Sequence, residues 1–206
     1  MMVRSAFSKL GRSALYHLYF FQAIGWQVYG LNLGSGGCPI NGFWNIDCRP
    51  FSACDVVAGA RSIKLASGSV DVIYASHIFE HFPRRRARKV LAEWYRILKP
   101  GGPLYLCVPD LEALFKVYLH YLPHFMTEDG RFCVDLACGI LFGGQGNRYD
   151  YHHSGYSFMS LKVLLLSVGF GHVQRYDPHQ LKFAPRDASY AEIRGEPVSL
   201  NVEATK

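Results

Sequence analysis

None of the six cysteines, at positions 38, 48, 54, 107, 133 and 138, pairs with another as Cys-x-x-Cys, which excludes a zinc ribbon and a dithiol redox motif. Reduced structural thiols in a cytoplasmic protein are the expectation this usage supports. Cys107 falls in an apolar strand pattern, where a thiol behaves as a small hydrophobe. No apolar run reaches the roughly 18 residues that a membrane-spanning helix needs. A clean signal-peptide core is missing too: Arg4, Lys9 and Arg12 precede a charge-free stretch to Ile46, but His17, Gln22, Gln27 and Asn32 interrupt it. Twenty glycines and ten prolines without a Gly-X-Y period or an internal repeat exclude collagen-like and low-complexity chains.

Charge is sparse, at 18% of residues, and unevenly placed. Lys and Arg number 22 against 16 Asp and Glu, a formal net charge of +6. Arg84, Arg85, Arg86, Arg88, Lys89, Arg96 and Lys99, set against Glu93 alone, account for the whole excess. The run at 84–89 carries no aromatic residue, so stacking recognition of nucleic acid is poorly supported. A solvated patch is the plain reading, and contact with an anionic partner or membrane surface is the alternative. Residues 5–24 read as an amphipathic helix with Phe7, Leu10, Ala14, Leu18 and Phe21 on one face. The expectation is that this helix (domain 1–27) packs on a second unit, 28–206, with peripheral membrane attachment as its other use.

With 206 residues, half of them hydrophobic, the chain can bury one continuous core. Short apolar runs alternate with helix-length segments. Strands are predicted at Val28–Leu33, Phe43–Asp47, Asp55–Ala58, Val70–Ser76, Pro103–Val108, 172–176 and 197–203. Helical spacing covers Pro83–Leu98, Leu111–Leu122 and Phe158–Val168, the first stopped by Lys99-Pro-Gly-Gly. Such alternation implies an α/β fold with a parallel sheet covered on both faces, where ligands bind beyond the carboxyl ends of the strands. Gly34–Gly37, Asp47, Ser76–His81 and Asp110 all lie at such ends.

Glycines at 34, 36 and 37 let the backbone approach a ligand, and the Asp47 carboxylate at the tip of the second strand can accept both hydroxyls of a ribose. Pro39 occupies the third glycine position of G-x-G-x-x-G, and no GxxxxGK[ST] loop occurs, so the site suits a nucleoside without a dedicated phosphate binder. S-adenosyl-L-methionine is such a ligand, and an oxidoreductase is disfavoured.

LNLGSGG, WNID, SVDVIYASHIFEHFPR and VLAEWYRILKPGGPLYLCVPD, in this order and spacing, resemble the class I S-adenosylmethionine-dependent methyltransferases. Within these the chain is similar to a subgroup of small methyltransferases with a type 11-like domain that end in a strand like SLNVEATK. The resemblance spans about residues 28–206 and implies a Rossmann-like three-layer sandwich, with a mainly parallel seven-stranded sheet whose last strand, near Val198–Ala204, is antiparallel. It implies further that Gly34, Ser35, Gly36 and Gly37 approach the cofactor, that Asp47 binds its ribose, and that Ala75, Ser76 and His77 line the site. Asn32 and Gly59 stand where many relatives carry acids. The nine residues from Gly37 to Asn45 are few for a parallel crossover, so the first crossover helix is expected to be a turn.

Two histidines, His77 and His81, are spaced i, i+4 beside the cofactor motif. His81 reads either as a base or as a helix-entry residue bonded to backbone. No third ligand with a defined spacing accompanies the pair, so no metal is expected. The resemblance implies that the segment 111–157 caps the cofactor and recognises the acceptor. Its GGQGNRYDYHHSGYSF matches the subgroup's pattern at Asp150 and His152, and Asp150 could orient His152 as a base; the other reading is a polar loop bonded to itself. The expected activity is methyl transfer to an oxygen or nitrogen nucleophile of a small-molecule or saccharide-like acceptor. RNA or protein methylation, and a non-catalytic cofactor-binding scaffold or activator subunit, are the alternatives.

Overall fold

The computed structural model describes residues 28–50, 53–181, 183 and 187–206. The reading of 5–24 as an amphipathic helix lies outside them. Among the described residues nine strands, β1 (Val28–Leu33), β2 (Phe43–Asp47), β3 (Val56–Val57), β4 (Val70–Ser76), β5 (Pro103–Pro109), β6 (Gly171–Arg175), β7 (Glu192–Ile193), β8 (Glu196–Pro197) and β9 (Ser199–Thr205), alternate with four α-helices. These are α1 (Arg84–Ile97), α2 (Leu111–Tyr121), α3 (Glu128–Phe142) and α4 (Phe158–Val168).

Seven strands form one sheet in the order β3-β2-β1-β4-β5-β9-β6. Pairings from β3 through β5 are parallel, and β9 runs antiparallel to both of its neighbours. The expected mainly parallel, Rossmann-like sheet with an antiparallel last strand is therefore present. Leu31, Leu33, Ile73, Leu104, Leu106 and Val202 are fully buried, which explains why these strands read as apolar runs rather than alternating ones.

One β1 neighbour is reached through β2 and the other through β4, so the chain reverses direction across the sheet there. Such a reversal leaves a crevice at the carboxyl ends of β1 and β4, the usual ligand position in open α/β sheets. The β1–β2 connection contains only turns, as its length implies. A buried polar network does the work of the missing helix. Asn32 Nδ2 donates to the Cys38 carbonyl and to Asn45 Oδ1, both at 3.0 Å, while Asn45 Nδ2 donates to Asp55 Oδ2 at 2.8 Å.

Helix α1 packs its Ala87, Val90, Leu91, Trp94 and Ile97 face on the sheet. Trp94 Nε1 donates to the Ala60 carbonyl at 2.8 Å, and Arg96 reaches the carbonyls of Ile63 and Leu65. These bonds hold the segment after β3 against the crevice. They also take part of the basic cluster into the fold: Arg96 pairs with Glu93, Lys99 with Asp71, and Arg88 donates to the Ser167 carbonyl. Arg84, Arg85, Arg86 and Lys89 remain exposed.

Helix α3 was not foreseen by hydrophobic spacing. Thr127 caps it by accepting from the Gly130 amide, and Gly130 is needed because a Cβ there would lie 2.1 Å from the His124 carbonyl oxygen. Asp110, grouped above with the ligand-facing ends, instead caps α2 by accepting from the Glu112 and Ala113 amides and pairs with Arg175 at 3.0 Å.

Candidate active site

The glycine turn after β1 requires its glycines. Gly34 has φ +70, and a Cβ there would lie 2.6 Å from Ile78. Gly36 also has positive φ, but a Cβ on it or on Gly37 would meet nothing within 4 Å. Asp47, 5% exposed, fixes this turn: one carboxylate oxygen accepts from the Gly36 amide at 3.0 Å and the other from the Arg49 amide at 2.8 Å. Arg49 Nε also approaches the carboxylate at 3.7 Å; a carboxylate offers about four lone-pair directions, so at most about two stay available for a diol. Asn32 does not face the crevice; its amide is spent on Cys38 and Asn45.

From the end of β4 the chain enters a short 3₁₀ turn, Phe79–His81. Ala75 is wholly buried in the core and Ser76 half-buried, and His77 is the first residue of this segment to reach the crevice. Its φ of +48 turns the ring so that Nε2 meets Ser199 Oγ at 2.8 Å and Nδ1 approaches Glu80 Oε1 at 3.2 Å.

Glu80 is the residue sequence reasoning missed. It is wholly buried, and among the described residues its carboxylate has no hydrogen-bond partner beyond the His77 Nδ1 contact at 3.2 Å. Burial alone would raise its pKa, but the His77 contact and the proximity of His77 and His81 outweigh that and hold it below the usual glutamate value. Its carbonyl accepts from the amides of His153 and Ser154, at 2.8 and 3.1 Å, anchoring the distant 143–157 segment beside the crevice. The only signal in the sequence was an acid set between aromatic residues in FEHF.

His152 lies next to this carboxylate, with Nε2 3.8 Å from Glu80 Oε1, and stands edge-on to the His81 ring at 4.7 Å between centroids. Burial lowers its pKa, and the nearby Glu80 charge offsets only part of the effect. Asp150 does not orient it: the Asp150 carboxylate accepts from the Gly146 amide at 3.3 Å, against the Gly144 backbone. The carboxylate facing His152 is Glu80's. His81 Nδ1 lies 3.1 Å from the Tyr151 carbonyl, and since a carbonyl can only accept, Nδ1 carries a proton, which leaves Nε2 as the ring nitrogen not engaged by this bond.

Gly34, Asp47, Arg49, Gly59, Arg61, His77, His81, Arg148, Tyr149, Tyr151 and His153 are among the residues lining one cleft of about 400 Å³. The size falls in the range of small-molecule sites. Arg49 and Arg148 both lie over the Tyr149 ring, closing the cleft from the 143–157 side. A second hollow of about 660 Å³ is lined by Asp110, Arg175 and Arg194, but Asp110 and Arg175 neutralise each other and no glycine backbone borders it.

The cleft's residues fit a nucleoside carrying an amino-acid tail. The tip of β2 presents a carboxylate to the space, and the Gly59 backbone borders it with nothing within 4 Å of a Cβ position. Sheet order, glycine turn and acidic strand tip together define a Rossmann-like α/β domain with a cleft at the carboxyl ends of its strands.

Comparison with known proteins narrows this. Residues 11–106 match the profile of a family described as a methyltransferase domain. Over 96% of this chain and 99% of the other, the fold is similar to a Methanosarcina mazei S-adenosylmethionine-dependent methyltransferase, at 18% identity and a TM-score of 0.54. An Archaeoglobus fulgidus S-adenosylmethionine-dependent methyltransferase is similar over 98% and 94%, at 16% identity and 0.52. The Burkholderia thailandensis 1,6-didemethyltoxoflavin N1-methyltransferase, solved with its acceptor and S-adenosylhomocysteine, is similar over 95% and 77%, at 14% and 0.51. None of the curated protein sequences matches. The family match over residues 11–106 and the shared fold support a class I S-adenosylmethionine-dependent methyltransferase.

Proposed function

We propose that the protein methylates an oxygen nucleophile, or a nitrogen one, on a small polar acceptor such as a saccharide, bound between the cofactor cleft and the 143–157 segment. The observation that carries this reading is His81: its Nδ1 is engaged by the Tyr151 carbonyl, and its ring lies at the wall of the cleft, where Nε2 can take a proton whenever it is free. A hydroxyl acceptor needs such a group, because its proton must leave as the new bond forms.

S-adenosylmethionine, when bound, supplies a methyl group on a sulfonium that is transferred by in-line displacement. In this reading Gly34, Ser35, Gly36 and Gly37 face its methionine part, Asp47 accepts from its ribose, and His77 borders the site between cofactor and acceptor. Gly59 and its neighbours border the base through backbone groups, which supports binding without the acid many relatives carry there. Arg148, Tyr149, Tyr151 and His153 project hydrogen-bonding groups into the same space, a lining suited to a polyhydroxylated molecule. His152 supports His81 from behind rather than meeting the acceptor itself. The segment 111–157 then acts as cap and acceptor-recognition element.

Incubation with a labelled methyl donor and pools of extracted metabolites and glycans tests the proposal. Label is expected in a small polar product, and His81→Ala is expected to lower its formation about 10²–10⁴-fold while S-adenosylhomocysteine affinity stays within about threefold. Label appearing only in RNA or protein would reject the acceptor class. An unchanged rate in His81→Ala would reject the base.

A further inference from the structure

We infer that Glu80, His81 and His152 bind a divalent first-row transition metal ion at the base of the acceptor cleft. One ligand atom from each lies within 4.8 Å of the other two. The three come from two distant parts of the chain, joined by the bonds from the His153 and Ser154 amides to the Glu80 carbonyl. Bonds of roughly 2.0–2.2 Å to nitrogen and oxygen place tetrahedral neighbours about 3.3 Å apart. His152 Nε2 and Glu80 Oε1, at 3.8 Å, are already close to that spacing.

Three features distinguish this cluster from a chance meeting of polar groups. Glu80 is wholly buried, yet among the described residues its two oxygens have no hydrogen-bond partner beyond the His77 Nδ1 contact at 3.2 Å. A buried carboxylate is costly unless a cation or a full set of donors compensates it. Among the described residues the ion-pair contacts of Glu80 are to His77 and His152, and no Lys or Arg reaches it. Two imidazoles with one carboxylate are also a donor set that favours Zn²⁺, Mn²⁺, Co²⁺ or Fe²⁺ over Mg²⁺ or Ca²⁺, and leaves positions open for an exogenous oxygen.

His81 connects the cluster to the cleft. Its Nδ1–H is committed to the Tyr151 carbonyl, which orients Nε2 and raises its donor strength, as outer hydrogen bonds do for metal-binding histidines. The remaining contact of Glu80, with His77, makes His77 a positioning residue at the edge of the site. This inference rests on the proposed acceptor position only for its consequence: with the ion bound, His81 Nε2 is a ligand and not the base, and an acceptor hydroxyl held by the ion would lose its proton to solvent while its oxygen forms the bond to the methyl carbon. The electron pair of the breaking carbon–sulfur bond would stay on sulfur, giving a methyl ether, the thioether product and one proton.

The test titrates Co²⁺, and separately Zn²⁺ and Mg²⁺, into the metal-stripped full chain. One equivalent of Co²⁺ is expected to bind with a visible spectrum of nitrogen and oxygen ligation, free of thiolate charge transfer. That distinction matters because Cys48 is an exposed thiol. Zn²⁺ should displace Co²⁺, and Mg²⁺ should not at equal concentration. Glu80→Gln, His81→Ala and His152→Ala should each weaken Co²⁺ at least tenfold, with S-adenosylhomocysteine binding retained as the measure of an intact fold. If Glu80→Gln fails to fold, His81→Ala, at the cleft wall, still decides the question. Absence of Co²⁺ binding at millimolar metal, or equal affinity in His81→Ala and His152→Ala, would overturn the inference. Metal binding in a chain that binds no S-adenosylhomocysteine would uphold it and instead reject the methyltransferase reading of the cleft.

Discussion

Replacement of Asp47 by alanine bears on how one carboxylate serves both fold and ligand. Its oxygens accept from the Gly36 and Arg49 amides at 3.0 and 2.8 Å, and the side chain is 6% exposed. Hydrogen bonds to a charged group contribute about 1.5–3 kcal/mol each. A ribose diol using the remaining acceptor capacity thus accounts for about 3–6 kcal/mol of cofactor affinity, on the order of 10²–10⁴ in Kd. The unliganded chain should lose less, about 2–4 kcal/mol, because the freed amides of the turn gain partial access to water. Asp47→Asn separates the two effects: its single carbonyl oxygen satisfies one amide while its NH₂ faces the other. Its affinity should therefore fall nearly as far as that of alanine, with a smaller loss of stability. Calorimetric titration with S-adenosylhomocysteine, paired with urea unfolding, reads both quantities. Affinity within about threefold of wild type in a folded Asp47→Ala protein would refute the reasoning, whatever the stability change.

Gly34→Ala should unfold more readily by about 2–4 kcal/mol, combining left-handed backbone strain with the Cβ clash against Ile78. Gly36→Ala, which carries only the strain, should cost about 1–2 kcal/mol; equal melting of the two by calorimetry would contradict this. Below the ordinary histidine value of 6.5 the unfolded chain binds a proton at His152 that the folded chain, with its depressed pKa, resists. Stability should therefore fall as pH drops through that value. It should fall again below the ordinary glutamate value of 4.5, as Glu80, surrounded by His77, His81 and His152, takes up its proton. Urea midpoints from about pH 8 to 4 check this, with His152→Asn flattening the upper part of the profile; a slope unchanged by the variant would be inconsistent with it. Trp94→Phe removes the bond to the Ala60 carbonyl and should lower stability by about 1–3 kcal/mol and weaken S-adenosylhomocysteine through the 58–61 segment. Unaltered ligand affinity would show that this segment is positioned by other contacts.

Strands β1, β2, β4 and β5 were legible because central parallel strands bury both faces and so read as unbroken apolar runs. The cofactor side of the cleft was legible for a related reason. Glycines and an acid at strand ends mark places where backbone and charge must meet a ligand, and Gly34, Asp47 and His77 do lie together. Helix α3 was hidden because Gly130 and Gly139 resemble hinges in sequence, although Gly130 is there for its close contact with His124. Asp110 looked like a ligand residue because strand ends and helix caps coincide in α/β chains, and only geometry shows its carboxylate committed to the α2 amides and Arg175. The pairing of His152 with Asp150 followed sequence proximity, whereas the carboxylate that faces His152 arrives from a turn seventy-two residues earlier in the chain. Long-range polar contacts of that kind leave no periodic trace.

A crystal structure of the full chain with S-adenosylhomocysteine tests the central claim most directly. The account predicts the ribose hydroxyls on Asp47, the base against residues 58–61, and the sulfur directed toward His81. Ligand bound away from the Gly34 turn, or a ribose out of hydrogen-bond reach of Asp47, would contradict it.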